Sequence, residues 1–284
     1  MKTVNSISGG KTSAYIAANY SADYNVFALV RTNDKKCIFP DKKLRQIVSD
    51  KIGTEFIGTL EMDNIIYTIL DLEQYIGQKI DWVSGETFDE VVKKNGMLPS
   101  PLRRYCTAEL KMKPMFNWWI KTIGEPSLFR IGFRANEQRR ANNVIKKYNK
   151  NGFLEFKHII GKHENGKNKW KTTEWQRQEY PLISLENPIY KDDIESYWND
   201  KPVRFAEINN CVGCFHRSVP LLKKMWQTHT NKMQFFSDLE EGRIYKNDTL
   251  KANEIKYEKI KKWKLQTELS FDEFNDCDSG YCGL

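Results

Sequence analysis

The chain has 284 residues, 40% of them hydrophobic, and a formal net charge of +8 with an isoelectric point near 9.0. No apolar run approaches the roughly 20 residues of a membrane-spanning helix. Gly9 and Gly10 interrupt the first apolar stretch, which is too short for a signal peptide. We therefore expect a cytoplasmic protein without membrane contact. The length suffices for one large α/β domain or for a core domain with an appendage, and the positive charge favours anionic partners such as nucleotides or nucleic acid.

Segments with strand-like and helix-like patterns alternate along the first part of the chain. The predicted strands are 3–7, 25–30, 54–59 and 127–133, and the predicted helices are 12–20, 41–51, 64–76 and 135–143. Such alternation is typical of parallel strands joined by crossover helices. Residues 186–284 read as mainly helical, and they contain most of the cysteines.

The first motif is SGGKTS, residues 8–13, which follows the first predicted strand and precedes the first predicted helix. Glycines permit positive φ and let backbone N–H groups approach an anion, and a helix N-terminus adds further donors and partial positive charge. The serine and threonine hydroxyls add more donors. The loop matches neither GxxxxGK[ST] nor GxGxxG, so a phosphate cradle and an ordinary tight turn are both open from these residues alone.

SISGGKTS resembles the SGGKDS pyrophosphate loop of the PP-loop superfamily, the adenine nucleotide alpha hydrolases, which bind ATP or an adenylyl-sulfate and act at the α-phosphate. The resemblance implies that the nucleotide phosphates are bound by Ser6, Ser8, Gly9, Gly10, Lys11, Thr12 and Ser13. Thr12 stands where several members have an aspartate that helps to hold magnesium. The threonine at this position therefore bears on Mg²⁺ ligation, whereas the implied phosphate binding by the loop is unaffected.

The next segment, 26–48, resembles the superfamily's second strand, its turn and the helix that follows. That likeness implies that Val30, Thr32 and Asn33 contact adenine and ribose, largely through the backbone. An ordinary turn between a strand and a helix is the alternative.

The chain has six cysteines, and two pairs of them are closely spaced, in CVGC at 211–214 and CDSGYC at 277–282. Structural disulfides are rare in a reducing cytoplasm, so these spacings indicate metal or redox chemistry. A CxxC turn directs two thiolates at one metal, and thiolates suit zinc or an iron–sulfur cluster. Reduced, buried cysteines are the plainer alternative.

RRYCTAELKMKP, residues 103–114, resembles the R-x-C-C-x-x-x-x-K-x-x-P stretch of adenylyl-sulfate reductases, with Thr107 in place of the second cysteine. It also resembles the RxCTxxLKxxP form of proteins similar to phosphoadenosine phosphosulfate reductase. The resemblance implies a [4Fe–4S] cluster, with a Zn²⁺ site as the alternative. The implied ligands are Cys106, Cys211, Cys214 and Cys282, with Cys277 as second choice for the fourth.

Cys282 has a rival role, because YCGL resembles the ECGLH tail whose cysteine is the nucleophile of sulfonucleotide reductases. Here Tyr281 replaces the glutamate, and the given sequence has no histidine after Leu284. That thiol lacks the motif's acidic and imidazole neighbours, so we favour the ligand role.

IGFRANEQRR, residues 131–140, resembles the family's arginine-containing strand end. Guanidinium groups hold phosphate and sulfate through paired hydrogen bonds, which makes Arg134, Arg139 and Arg140 candidates, with Glu137 orienting one of them. A solvated helix face is the alternative. Residues 139–178 interleave lysines with aromatic rings, a composition that suits either nucleic-acid contact or an amphipathic hairpin covering the sheet.

Together the motifs resemble the phosphoadenosine phosphosulfate reductase-like family of PP-loop proteins. That resemblance implies a doubly wound, mainly parallel α/β domain at residues 1–185 and a helical region with the metal-binding cysteines at 186–284. It also implies that Lys111 and Arg134 stabilise charge developing at phosphorus.

Three functions are compatible with these motifs. The first is an enzyme that adenylates a substrate with ATP, with sulfur transfer to a nucleic acid or small molecule as a following step. The second is a reductase that releases sulfite from a sulfonucleotide with an external thiol donor. The third is a nucleotide-sensing or nucleic-acid-binding protein without turnover. The sequence does not indicate an oligomeric state.

Overall fold

The computed structural model describes residues 1–242 and 255–264. Its strands are β1 (Thr3–Ile7), β2 (Tyr24–Ala28), β3 (Arg31–Thr32), β4 (Gly58–Thr59), β5 (Ile80–Val83), β6 (Ser127–Arg130), β7 (Leu154–Lys162) and β8 (Asn168–Glu179). Its helices are α1 (Lys11–Asn19), α2 (Lys42–Ile52), α3 (Asn64–Ile76), α4 (Phe88–Asn95), α5 (Tyr105–Thr107), α6 (Lys113–Thr122), α7 (Gln138–Ile145), α8 (Lys191–Trp198), α9 (Val219–Thr228), α10 (Thr230–Glu241) and α11 (Tyr257–Lys262).

Six strands form a central sheet in the order β5-β2-β1-β6-β8-β7. Strand β1 pairs in parallel with β2 and with β6, and β6 pairs in parallel with β8. The edge strand β7 runs antiparallel to its neighbour, β8. The chain is therefore an α/β protein with a mostly parallel sheet, which confirms the expectation drawn from the alternating segments.

The chain forms two compact units. The first, which we call the sheet unit, comprises residues 1–27, 69–81 and 115–203 and contains most of the central sheet. The second, which we call the cysteine unit, comprises residues 28–68 and 82–114 and the described residues from Arg204 onward. The predicted division at 185/186 followed the order of the chain, whereas the two units follow contacts between distant segments.

In the sheet unit, the core is a cluster of aromatic rings under strands β6 and β8. The ring of Trp175 lies 5.3 Å from Phe129 and 5.6 Å from Phe116, measured between centroids. Phe116 in turn stacks on Phe156 of β7 at 4.5 Å. Edge-to-face and stacked contacts of this kind add to the burial of large apolar rings, and they anchor the β7–β8 hairpin at its base.

In the cysteine unit, helices α4, α9, α10 and α11 pack around one apolar core. Helix α4 begins with a capping box, in which Thr87 and Glu90 each accept the other's backbone N–H, and ends at Gly96 with φ +69°. These caps satisfy backbone groups at both helix ends. Strand β4 needs its glycine, because a Cβ on Gly58 would lie 1.7 Å from the carbonyl oxygen of Cys37.

Several elements differ from the sequence expectation, two of them in ways that bear on the sheets. The strand predicted over 54–59 is reduced to Gly58–Thr59, which pairs antiparallel with β3 in a separate two-stranded sheet. Strand β8 belongs to the central sheet, whereas the sequence suggested, as one of two alternatives for residues 139–178, a hairpin that covers the sheet. The helical character of 186–284 stays a prediction, since 243–254 and 265–284 lie outside the described residues.

The helices in the described part of the chain are all too short or too polar to cross a membrane.

Candidate functional site

The glycine loop follows β1 directly and ends where α1 begins. Gly9 has φ +81°, in the left-handed region that favours glycine, and Gly10 is the N-cap of α1. The Ser13 hydroxyl accepts the backbone N–H of Ser8 at 3.0 Å and donates to the carbonyl oxygen of Gly10 at 3.1 Å. Ser13 therefore closes the loop on itself, and the Ser8 hydroxyl lies 3.0 Å from it.

A second strand end lies against this loop. A Cβ built on Gly132, two residues after β6, would lie 3.1 Å from Cγ2 of Thr12 and 3.3 Å from the backbone nitrogen of Ser13. A side chain at Gly132 would therefore press on the first turn of α1. Because β1 and β6 are neighbouring parallel strands, their carboxyl ends meet at this edge of the sheet, where ligands of open α/β sheets bind.

Lys11 is engaged by helix α8. Its ammonium lies 3.7 Å from a carboxylate oxygen of Glu195, and its carbonyl accepts the indole N–H of Trp198 at 3.0 Å. Both partners are on α8, so this helix holds the start of α1. Ser6 and Thr12 are half-buried, and Ser8 is exposed at the loop surface.

The predicted arginines differ in their surroundings. Arg134 is 6% exposed, and its backbone N–H and its Nε both donate to Oε2 of Glu137, at 2.9 and 3.3 Å. Arg140 donates to the other oxygen of the same carboxylate and lies 4.3 Å above the ring of Phe133. Arg139 is exposed. Glu137 thus orients two of the three guanidinium groups, a charge-assisted arrangement that fixes their direction.

In the cysteine unit, Cys106, Cys211 and Cys214 line one cavity, which we call the cysteine cavity. Its volume is about 40 Å³, roughly three times what one water molecule needs. The ammonium-bearing side chain of Lys111 also lines it, and the remaining walls are mainly apolar. The structure therefore brings Cys106 to the same cavity as Cys211 and Cys214, which lie about a hundred residues later in the sequence.

The CVGC segment is a tight turn, closed by the N–H of Cys214 on the carbonyl oxygen of Cys211 at 3.1 Å. Cys211 forms an antiparallel bridge with Glu61, and Val212 donates to the carbonyl oxygen of Leu60 at 2.8 Å. The turn is thus held against the segment after β4. Gly213 allows close packing, because a Cβ there would lie 2.3 Å from Cδ2 of Phe236.

Arg217 holds the same turn from the other side. Its side chain is 5% exposed, and its guanidinium donates to the carbonyl oxygens of Asn209 at 2.7 Å, Asn210 at 3.2 Å and Cys211 at 3.0 Å. Three carbonyl oxygens that converge on one cation fix the path of the chain into the CVGC turn. The rigid fork of arginine suits this task better than a lysine ammonium.

Lys111 forms an ion pair with a buried carboxylate. Its Nζ lies 3.0 Å from Oε1 of Glu61, which is only 1% exposed. A second buried lysine, Lys232, donates to the carbonyl oxygen of Glu61 at 2.6 Å and to Oδ1 of Asp63 at 2.8 Å. Glu61 therefore takes part in contacts with two lysines, and the side chain of one of them, Lys111, also lines the cysteine cavity.

Val30, Thr32 and Asn33, predicted to contact adenine and ribose, form hydrogen bonds with other segments of the cysteine unit. The carbonyl oxygen of Val30 accepts the hydroxyl of Thr59 at 2.7 Å, while the Val30 side chain lines the cysteine cavity. The hydroxyl of Thr32 donates to Oδ1 of Asp89 at 2.8 Å, and the N–H of Asn33 reaches the same oxygen at 3.3 Å.

The donor set of the cysteine cavity suits zinc or an iron–sulfur cluster. Within 1–242 and 255–264, however, no three histidine, cysteine or acidic side chains are grouped closely enough to hold a metal ion. Cys277 and Cys282, the predicted sources of the fourth ligand, lie outside the described residues. Burial and the charge of Arg104 lower the pKa of His216, next to the turn, which favours the neutral form of that imidazole.

Sequence reasoning missed Glu61 and Arg217. Arg217 follows CVGC by three residues, so its position was a usable signal for a residue that braces the turn. Glu61 lies between Leu60 and Met62, and its partner Lys111 is 50 residues away. No local pattern identifies such a pair.

Comparison with known proteins adds no assignment. No protein-family model matches the sequence, and no curated protein matches it at a significant level. The resemblance of the motifs to PP-loop proteins therefore stays a prediction.

Proposed function

We propose that the chain is a PP-loop enzyme of the phosphoadenosine phosphosulfate reductase-like family, with a doubly wound, Rossmann-like sheet and a helical C-terminal region. It binds ATP or a related adenine nucleotide at the glycine loop and acts at the α-phosphate. The acceptor attacks the α-phosphorus, the bond from that phosphorus to the oxygen bridging to the β-phosphate breaks, and pyrophosphate leaves.

The main support is the geometry of the glycine loop. Gly9 is in the left-handed region, and the N-cap of α1 is Gly10, a residue without a side chain that could block an approaching anion. The first turn of a helix has backbone N–H groups without intrahelical partners, and these suit phosphate oxygens. The loop lies at the carboxyl end of a parallel strand, where nucleotides bind in open α/β sheets.

Arg134 is the best-prepared cationic group of the sheet unit. The hydrogen bond from its Nε to Glu137 fixes the direction of the guanidinium before any nucleotide binds, and a preorganised cation stabilises charge that develops during reaction. Thr12 offers a neutral hydroxyl in place of the family's aspartate, so Mg²⁺ would be held by the nucleotide phosphates and water.

The cysteines belong to the same proposal as ligands of a [4Fe–4S] cluster, or of Zn²⁺ as the alternative. Three thiols lining one cavity support it, with Cys282 as the proposed fourth ligand. Such a centre would fix the shape of the site or hold a sulfur in transit. The tightly braced CVGC turn supplies two of these thiols in a fixed direction.

Product analysis tests the nucleotide chemistry. Anaerobically purified protein is incubated with ATP and Mg²⁺, or with adenylyl-sulfate and a dithiol, and pyrophosphate and sulfite are measured. Pyrophosphate release supports the proposal. Sulfite alone would assign a sulfonucleotide reductase, and nucleotide binding without either product would assign a sensor.

A pair of variants tests whether Arg134 contributes to nucleotide binding. We expect Arg134→Gln to weaken nucleotide binding in calorimetric titration, while Arg177→Gln, at an exposed arginine of the same unit, leaves it unchanged.

Metal analysis tests the cysteine cavity. Iron, sulfide and zinc are measured in the wild type and in Cys106→Ala, with Cys37→Ala as the control. Cys37 is buried in the same unit but does not line the cavity, and burial raises its pKa to about 12, which disfavours a metal-binding thiolate. We expect Cys106→Ala alone to lose the metal and any visible absorption. Equal metal content in both variants would contradict the ligand assignment.

A further inference from the structure

The β7–β8 hairpin continues beyond the aromatic core into solvent. Every residue from Ile159 to Thr172 is exposed, and a tight turn closes the end, with the N–H of His163 on the carbonyl oxygen of Lys167 at 2.8 Å. We call residues 157–172 the hairpin tip. The stacked rings at its base hold the hairpin in place, and within the tip His158 packs against them, 4.8 Å from the Phe116 ring between centroids.

Strand pairing sorts the side chains of the tip onto two faces. Ile159 lies opposite Trp170, and Lys162 lies opposite Asn168. The ammonium of Lys157, one diagonal step away, lies 5.4 Å from the centre of the Trp170 ring. Because paired residues and alternate residues share a face, one face of the tip presents a tryptophan with a lysine on either side.

The opposite face is also basic. Lys171 lies opposite His158, and Lys169 lies opposite Gly161. From 157 to 172 the sequence contains five lysines and one glutamate, a net charge of +4 with neutral histidines. Both faces are therefore positive, whereas the large apolar groups stand on the exposed surface without serving the core: Trp170 is 52% and Ile159 is 49% exposed.

We propose that the hairpin tip binds single-stranded nucleic acid, with a base stacked on Trp170 beside Ile159 and backbone phosphates paired with Lys157 and Lys162. An aromatic platform between cations is how proteins hold single strands without reading their sequence. Lysines supply the phosphate contacts that dominate affinity and make it depend on salt. The inference is independent of the nucleotide chemistry, because it concerns a different surface of the sheet unit.

Charge and spacing favour this partner over an anionic membrane. A membrane-binding tip groups its apolar side chains on one side, with the cations behind them. Here lysines occupy both faces, and Trp170 lies between Lys157 and Lys162 rather than at an apolar point. Membrane binding is therefore the outcome that the experiment must separate from nucleic-acid binding.

The test uses fluorescence anisotropy with a labelled oligothymidylate of roughly 20 nucleotides, longer than the sites typical of such platforms. We expect Trp170→Ala to weaken binding between about fivefold and a hundredfold, the range for loss of one stacking ring. Trp170→Phe should retain most of the affinity. The matched control is Trp263→Ala, at a tryptophan that is 45% exposed and also has lysine neighbours; we expect a change of less than about twofold there.

Salt dependence tests the lysines. For single strands, the slope of log affinity against log salt is about −0.7 per phosphate contact. The double variant Lys157→Gln, Lys162→Gln should therefore make the slope shallower by about 1.4. Circular dichroism of each variant verifies the fold, which these exposed positions should not alter.

Three results would overturn the inference. One is equal loss in Trp170→Ala and Trp263→Ala, which would mean diffuse attraction by the basic surface. Another is an unchanged affinity in Trp170→Ala. The third is binding to phosphatidylglycerol vesicles that depends on Trp170 while oligothymidylate binding does not, which would make the tip a membrane anchor.

Discussion

The Glu61–Lys111 ion pair allows a quantitative test of the cysteine unit. Glu61 is almost fully buried; its Oε1 accepts from Lys111, and its Oε2 has no hydrogen-bond partner among the described residues. The substitution Lys111→Met keeps the length of the side chain and removes the ammonium. The carboxylate of Glu61 then stays in the core without the cation that compensates its charge.

The size of the effect follows from the geometry. At 3.0 Å and an effective dielectric constant of about 20, the attraction between two unit charges is about 5 kcal/mol. Desolvation of both groups cancels much of this in the intact pair, but removal of one partner from a buried pair typically costs about 3–5 kcal/mol. We therefore expect Lys111→Met to lower the free energy of unfolding by about that amount.

A double-mutant cycle separates the pair from other effects. Urea unfolding is followed by tryptophan fluorescence for the wild type, Lys111→Met, Glu61→Gln and the double variant. The coupling energy should be about 2–3 kcal/mol, since the two groups are in direct contact. The control cycle uses Lys94 and Glu86, a pair at 3.3 Å in which both side chains are solvent-exposed, where we expect less than about 1 kcal/mol.

The reasoning fails if the two cycles give the same coupling energy. It also fails if Lys111→Met unfolds at the wild-type urea concentration, because a carboxylate this deeply buried would then have lost its cation at no cost. In either case the buried ion pair would stabilise the fold no more than a solvent-exposed one does.

Three further outcomes are expected. Gly213→Ala should lower the free energy of unfolding by about 1–3 kcal/mol through overpacking, and adding Phe236→Leu should recover part of it in urea titrations, because the new Cβ would meet that ring. Arg217→Lys should lower metal content and stability, since a lysine has one nitrogen, whereas Nε and Nη2 of Arg217 both donate to the carbonyl oxygen of Cys211; wild-type values for both would contradict the bracing role. Burial, followed by the charge of Lys232, lowers the pKa of His229 below 6.5. The unfolded state therefore binds the His229 proton more readily than the folded state, and the free energy of unfolding should fall as pH drops below that value. In urea titrations at about pH 7.5 and 5.5, His229→Gln should reduce this fall, and an identical fall in both proteins would refute the assignment.

Local signals in the sequence predicted much of the fold. The apolar alternation at 3–7 and the glycines after it mark β1 and the start of α1, because both depend on near neighbours in the chain. Strand β8 was missed for the opposite reason. Its residues Gln176 to Glu179 pair with Ser127 to Arg130, about 49 positions earlier, and the choice of partner is decided by tertiary packing rather than by strand propensity.

The residues of the candidate site also fall into two groups, those that local sequence patterns predict and those that depend on tertiary contacts. The CVGC spacing is local and predicted a tight turn that directs two thiolates at one metal; the structure shows the turn, and both cysteines line one cavity. Cys106 was linked to it only through the family resemblance, and the shared cavity supports that link without testing the metal. The buried Glu61 and the bracing Arg217 depend on contacts between chain segments, which no motif records.

The arrangement of the two units has a consequence for biosynthesis. All segments of the sheet unit lie within the first 203 residues. The cysteine unit, in contrast, combines residues 28–68 and 82–114 with residues from Arg204 onward. On the ribosome, the sheet unit can complete its contacts while the apolar side chains of α4 still await α9 and α10. A translation pause soon after residue 203 would prolong the exposure of those side chains, and nascent chains of that length should bind chaperones more strongly than the finished protein.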